Sequence, residues 1–183
     1  SNIIFLSTSA NSGGNISSDN GSVVTARGVV WNTITTPTID LATKTKDSTG
    51  KGAFVSALKP LLPGKLYYAR AYATNAIGTA YGNELSFTTA SAPTLAATST
   101  VTAITSSTAT SGGSVTSTGG ATLSAVGVCW STSTNPTTAN SFTNNGTTAS
   151  FTSNMTGLTA STTYYVRAYA TNSVGTSYGS QVS

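Results

Sequence analysis

The sequence predicts an all-β chain of two tandem β-sandwiches, about seven strands each, with no helix. Three observations carry this. First, Tyr67-Tyr68-Ala69-Arg70-Ala71-Tyr72-Ala73-Thr74-Asn75 recurs as Tyr164-Tyr165-Val166-Arg167-Ala168-Tyr169-Ala170-Thr171-Asn172, so the 183 residues hold two copies of one unit. Second, Tyr67, Ala69, Ala71 and Ala73 alternate with Tyr68, Arg70, Tyr72 and Thr74, the period-two pattern of a strand rich in β-formers. Third, such runs are short and separated at regular spacing by Gly, Asn and Pro, and no useful 3.6-residue stripe is present. The expected domains are 1–90 and 91–183.

In chain order, Ser1 to Ala10 and its match Thr100 to Ala109 read as first strands. Ser12-Gly13-Gly14-Asn15-Ile16 is matched by Ser111-Gly112-Gly113-Ser114-Val115. Asn20-Gly21 and Gly119-Gly120 are hairpin signals, since these residues accept positive φ. Val23 to Trp31 and Thr122 to Trp130 are the next strands, closed by turns at Pro37 and Pro136. Copy one is two residues longer than copy two before the paired Phe54 and Phe151, a length change suited to a surface loop. Phe54 to Leu58 and Phe151 to Met155 are strands, followed by the Tyr-rich strands. Asn75-Ala76-Ile77-Gly78 turns that strand back into Thr79 to Thr88. Thr89 to Thr94, with Pro93, is a short linker. The last strand of copy two is truncated: Phe87-Thr88-Thr89 has no counterpart after Gln181-Val182-Ser183.

Leu61, Pro63 and Tyr67 form Leu-x-Pro-x-x-x-Tyr ahead of a strand with small apolar alternation. This resembles the corner before the F strand of fibronectin type III domains, and the resemblance makes Tyr67 and Tyr164 tyrosine corners whose hydroxyls bond nearby backbone. Ala160 replaces the Pro in copy two, so that corner should be looser. The wider unit adds Ser-Gly-Gly, Gly-Val-Val/Cys-Trp and Gly-Thr-x-Tyr-Gly. Together these are similar to the tandem fibronectin type III/Ig-like repeats of Bacteroidota cell-surface proteins. That resemblance covers nearly the whole chain. It implies an Ig-like sandwich in an extracellular, exported setting and says almost nothing of activity, because sandwiches host many functions.

Composition excludes more than it selects. Charged residues make up 7%, His is absent, and the formal charge is +4. With four carboxylates scattered and no His, the residues offer no acid/base pair, no triad and no zinc set, so no catalytic residue, metal or cofactor is expected. Asp19, Asp40 and Asp47 could suggest calcium, but copy two has no acidic residue. Cys129 stands where copy one has Val30, which reads as a buried inert thiol. Lys44, Lys46 and Lys51 read either as a patch for an acidic glycan or nucleic acid, or as a solvated, lysine-protected edge. Asp47 interrupts the run and copy two lacks it, so no nucleic-acid partner is expected. No apolar run is long enough to insert into a membrane.

The candidate binding strip is the outward row Tyr68, Arg70, Tyr72 and its repeat Tyr165, Arg167, Tyr169. It could present aromatic faces and an Arg to a glycan, or the Arg could stack between the two Tyr and stiffen the sheet. Trp31 and Trp130 end a Val-x-Trp alternation and read as core Trp between the sheets; the opposite parity would add them to the aromatic face. Asn15, Asn20, Asn145 and Asn154 begin N-glycan sequons. Asp47-Ser48-Thr49 looks like the O-glycan site of Bacteroidota exported proteins, with Ser48 as acceptor. The expected role is a non-catalytic structural repeat, a stalk, adhesin shaft or filament segment, joined end to end with neighbouring repeats or identical subunits. Ile3, Ile4, Phe5 and Leu6 are more apolar than Thr102 to Thr105 and offer a segment for strand exchange between subunits. The alternative role is a glycan-binding accessory module using the Tyr-Arg-Tyr strip.

Overall fold

The computed structural model describes Ile4–Phe5 and residues 7–183. The chain divides into unit 1, Ser1–Ala90, and unit 2, Ser91–Ser183. No helix occurs among the described residues.

In unit 1 the strands are β1 (Ile4–Phe5), β2 (Ala10–Ile16), β3 (Ala26–Asn32), β4 (Gly52–Leu58), β5 (Leu66–Thr74), β6 (Thr79–Tyr81) and β7 (Leu85–Thr88). One sheet has the order β1-β2-β4; the other joins β3 to β5, which pairs both β6 and β7. Unit 2 has β8 (Thr94–Leu95), β9 (Thr108–Ser117), β10 (Leu123–Ser131), β11 (Ser141–Phe142), β12 (Ser150–Thr156), β13 (Tyr165–Asn172) and β14 (Thr176–Tyr178). Its sheets run β12-β9-β8 and β11-β10-β13-β14. All strand pairs are antiparallel.

Each core lies between the two sheets of its own unit. In unit 1, Ala10 and Leu58 from one sheet meet Val29, Trp31, Tyr67, Ala69 and Phe87 from the other. In unit 2, Ala109, Phe151 and Met155 meet Val126, Val128, Trp130, Val166 and Ala168. The Ser-Gly-Gly segments lie inside β2 and β9 rather than in turns. A Cβ on Gly113 would stand 2.7 Å from the Cβ of Ala168, so glycine and alanine let the sheets close together here.

Three expectations are corrected. Asn20-Gly21 (φ 49° and 78°) and Gly119-Gly120 do form tight positive-φ turns, but β2 and β3 lie in different sheets. The turns are therefore corners between sheets, not hairpins. The first strand of unit 2 is not Thr100 to Ala109. It is Thr94–Leu95, which starts at the last residue of the expected linker, and residues 100–107 contribute a single Thr102–Thr110 bridge. Finally, Thr79 to Thr88 is broken into β6 and β7 around Gly82-Asn83-Glu84.

Of the apolar N-terminal segment, Ile3 and Leu6 lie outside the described residues. Ile4–Phe5 pair with Asn11 and Ala10 of the same chain, so lending this segment to another subunit would break that pairing. Phe87 in β7 lies opposite Tyr67 with ring centroids 5.7 Å apart; in unit 2, Val182 pairs with Val166.

Candidate functional site

Tyr67 and Tyr164 hold their corners as a hydroxyl acceptor can. The N–H of Leu62 donates to Tyr67 Oη at 3.0 Å, and the N–H of Thr159 donates to Tyr164 Oη at 3.2 Å. Upstream, Leu61 N–H donates to Thr8 O and Leu158 N–H to Ser107 O, tying both corners to the segments that lead into β2 and β9. Trp31 and Trp130 are buried in the two cores.

The Tyr-Arg-Tyr row is not the exposed strip that alternation suggests. Tyr72 and Tyr169 are buried, at 5% and 2% exposure. Their hydroxyls donate to Thr45 O (2.5 Å) and Thr143 O (2.6 Å). The reason lies across the ladder, where Tyr72 faces Gly28 and Tyr169 faces Gly127. A Cβ at either glycine would fall 2.3 or 2.2 Å from the carbonyl oxygen of Thr45 or Thr143. The missing side chain lets the segment after β3 or β10 cross over the sheet face and cover the Tyr. That segment also pairs with the edge of β3: Trp31 N–H donates to Thr43 O, Thr45 N–H to Val29 O, and Arg27 N–H to Ser48 O. Burial pushes the Tyr72 and Tyr169 hydroxyls above the usual tyrosine range.

The Arg is not stacked between the two Tyr of its own strand either. Arg70 lies over Tyr81, 4.4 Å from the ring centroid, and its Nε donates to Gly82 O at 3.3 Å. Arg167 lies over Tyr178 at 4.7 Å, with Nε donating to Gly179 O at 3.0 Å. Tyr81 and Tyr178 hydroxyls accept from Ile39 N–H and Thr138 N–H, so each Arg–Tyr pair also holds the loop after Pro37 or Pro136. Tyr68 and Tyr165 remain half-buried beside them. The recurrent Gly-Thr-x-Tyr-Gly was the signal for this partnership.

A second paired device ties the crossing segment to the neighbouring sheet. Asp47 Oδ2 accepts from Thr45 Oγ1 (2.9 Å) and from Ser56 Oγ (2.5 Å). In unit 2, Ser153 Oγ donates to Asn145 Oδ1 (2.6 Å) and accepts from Thr143 Oγ1 (2.9 Å). Ser48 is exposed while the adjacent Asp47 is engaged in this cluster. Lys44 and Lys46 are exposed, and Lys51 pairs with Asp19 at 3.4 Å. The N–H of Gly21 and Lys51 hold the Asp19 carboxyl below its usual range. Cys129 is buried, its thiol donating to Pro136 O and Arg167 O, and burial pushes it up to about 11. No group of three potential metal ligands lies together among the described residues.

Three strands facing four, with a tyrosine corner before the central strand, recur in both halves of the chain. The fold is a tandem pair of fibronectin type III-like sandwiches. Among solved structures, the chain is similar to the FN1-FN3 domains of chicken CNTN1, with 14% identity and a TM-score of 0.41. That match covers all of this chain but 63% of the other. It is also similar to a segment of two fibronectin type III domains from chicken tenascin, with 11% identity and a TM-score of 0.42, covering 99% of this chain and 93% of that one. No protein-family model matches the chain, and no curated protein matches it.

Among the described residues, the fibronectin type III-like units carry open concavities, one of which, of about 350 Å³, lies in unit 1 beside Asp19, Val24 and Asn75. A second, of about 800 Å³, lies in unit 1 along Ser12–Ser18, Ala71, Ala73 and Gly82. A third, of about 390 Å³, lies in unit 2 against Val101, Ile104, Met155, Leu158, Tyr164 and Val166. No Asp or Glu side chain lines either of these last two.

Proposed function

We propose that the chain is a non-catalytic structural module of an extracellular surface protein, a rigid repeat of a stalk, adhesin shaft or filament. The observation that carries this reading is the internal use of the Tyr-Arg row. In both units the Arg is spent on a ring and a carbonyl of its own sheet, and the last Tyr is capped by its own chain. A feature that is duplicated and satisfied internally in both copies serves the repeat, not a ligand. The hydroxyl and amide clusters behave in the same way. The resemblance in sequence to exported repeats supports the surface location.

The test is replacement. In the protein that displays it, residues 1–183 are exchanged for an unrelated pair of sandwiches of equal length. A spacer predicts unchanged adhesion or assembly at equal surface display. Loss of function at equal display, together with glycan-array binding of the chain that Arg70→Ala abolishes, would overturn the reading in favour of the glycan-binding alternative.

A further inference from the structure

Asn-Gly occurs twice in the chain, as Asn20-Gly21 and Asn145-Gly146, and the fold holds the two pairs in opposite ways. Asn145 is clamped. Its Oδ1 accepts from Ser153 Oγ at 2.6 Å and its Nδ2 donates to Thr152 O at 2.9 Å, so both ends of the carboxamide are fixed to β12. The Gly146 N–H donates to Asn144 Oδ1 at 2.9 Å, an amide oxygen that takes up no proton at ordinary pH. Asn20 is exposed, at the corner between β2 and β3. Its Oδ1 accepts from Ser18 Oγ at 3.0 Å, and the Gly21 N–H donates to Asp19 Oδ1 at 3.3 Å. These groups share one turn, closed by Ser22 N–H donating to Asp19 O at 3.1 Å.

An asparagine followed by glycine can react with its own backbone, because glycine has no Cβ to keep its nitrogen from the carboxamide carbon. The reaction needs a group to take the proton of that nitrogen and a donor to hold the charge that grows on Oδ1. At Asn20 both are in place: the Asp19 carboxylate is on the proton and the Ser18 hydroxyl is on the oxygen. At Asn145 a hydroxyl meets the oxygen, but the proton faces a carboxamide and Thr152 O holds Nδ2 on the strand. The exposure of Asn20 follows from the residue itself. In unit 2, Ser91 and Ala92 run over the matching Gly119, where a Cβ would stand 2.1 Å from Ser91 O. The Cβ of Asn20 excludes a segment laid that way over the corner of unit 1.

We propose that Asn20 is a self-modification site, where the chain exchanges a side-chain amide for a carboxylate with Asp19 as base and Ser18 as donor. The Gly21 nitrogen bonds to Asn20 Cγ and gives its proton to Asp19 Oδ1. The Cγ–Nδ2 bond then breaks, Nδ2 takes up the proton, and ammonia leaves a five-membered succinimide. Water opens this ring at Cγ to give aspartate, or at the main-chain carbonyl to give isoaspartate. The net change is water for ammonia, with no oxidant or reductant. Either product sets a second carboxylate beside Asp19. Isoaspartate also lengthens the main chain inside a corner that Asn75 Nδ2 braces through Asp19 O and Ser22 O. The corner of unit 2 is Gly119-Gly120, which has no side chain to react. One repeat therefore ages at its corner and the other does not.

The test incubates the full chain in mildly alkaline buffer made with heavy-oxygen water, folded and in guanidinium, and follows both Asn-Gly peptides by mass spectrometry. Label should enter position 20 at least as fast in the folded chain as in the unfolded one. At position 145 folding should slow entry by about tenfold or more. Ser18→Ala and Asp19→Ala separate catalysis from restraint, because the two roles predict opposite signs. Loss of a mere restraint would free the turn and speed the reaction. Loss of the donor or the base should slow entry at position 20 by about tenfold and leave position 145 as in the parent. Ser18→Thr, which keeps the hydroxyl, should restore the parent rate. Native Trp31 emission checks that unit 1 of each variant is folded. Slower labelling of position 20 in the folded parent than in guanidinium, or an equal or higher rate in either Ala variant, would overturn the proposal.

Discussion

Unit 2 should lose stability in alkali through one thiol. Cys129 Sγ is fully buried, between Val128 and Trp130, and donates to Pro136 O at 3.4 Å and Arg167 O at 3.5 Å. Desolvation raises its pKa from 9.0 to about 11, with Arg167 opposing the shift. A folded pKa above the unfolded one gives stability that is complete below pH 9 and is lost as pH rises through the folded value. Between about pH 8 and pH 10.5 the linkage amounts to about 2 kcal/mol, or a fall of about 1–2 M in urea midpoint for a domain of this size. Tyr169, also raised by burial, adds its own loss at higher pH, so the thiol must be isolated. Cys129→Val does that, because unit 1 already carries Val30 at the same place. The assay is urea unfolding of the full chain at both pH values, with fluorotryptophan at Trp130 reporting unit 2. The variant should keep about 2 kcal/mol more of its stability than the parent across this interval. Equal losses in parent and variant would refute the account and assign the alkaline sensitivity to the tyrosines.

Other substitutions follow from the same geometry. Trp31→Ala and Trp130→Ala should each cost about 3–5 kcal/mol in denaturant titrations, as buried truncations between two sheets. Tyr67→Phe and Tyr164→Phe remove the acceptors of Leu62 N–H and Thr159 N–H and should cost about 1–3 kcal/mol each, read as a lower urea midpoint of the unit concerned. Tyr72→Phe should cost about 1–2 kcal/mol by leaving Thr45 O without its donor, and should loosen residues 43–48 in hydrogen exchange. Arg70→Ala and Arg167→Ala each remove a stacked cation and should cost about 1 kcal/mol in thermal unfolding, with no change in any glycan-array signal.

Much of the fold was legible because the repeat doubles every local signal. The corner Tyr67, the core Trp31 and the Asn75–Gly78 turn each obey a short-range rule that sequence spacing expresses. The site was less legible because it depends on what crosses what. Alternation places Tyr72 on the outer face, and it is there, but alternation cannot show a loop lying over that face. The clue was Gly28 opposite it, a strand glycine that reads as a weak position until its ladder partner is known. Likewise Arg70 was legible as a stacking residue, but its ring, Tyr81, comes from the returning strand. The Thr94–Leu95 strand was hidden by Pro93, which sequence reading takes as linker punctuation.

The clusters around Asp47, Asn145, Thr45 and Thr143 also decide how the protein responds to its electrolyte. Loops that many proteins fasten with ion pairs are fastened here by hydroxyls, amides, carbonyls and, in unit 1, the Asp47 carboxylate bonded to two hydroxyls, and among the described residues the ion pair is Lys51–Asp19 at the surface. Debye screening, which shortens from about 8 Å at physiological ionic strength to about 3 Å in molar salt, has little to act on. With no histidine in the chain, the charge of +4 also stays nearly constant between about pH 5 and pH 8. The same sandwich should therefore keep its stability in fresh water, brine and mildly acidic media.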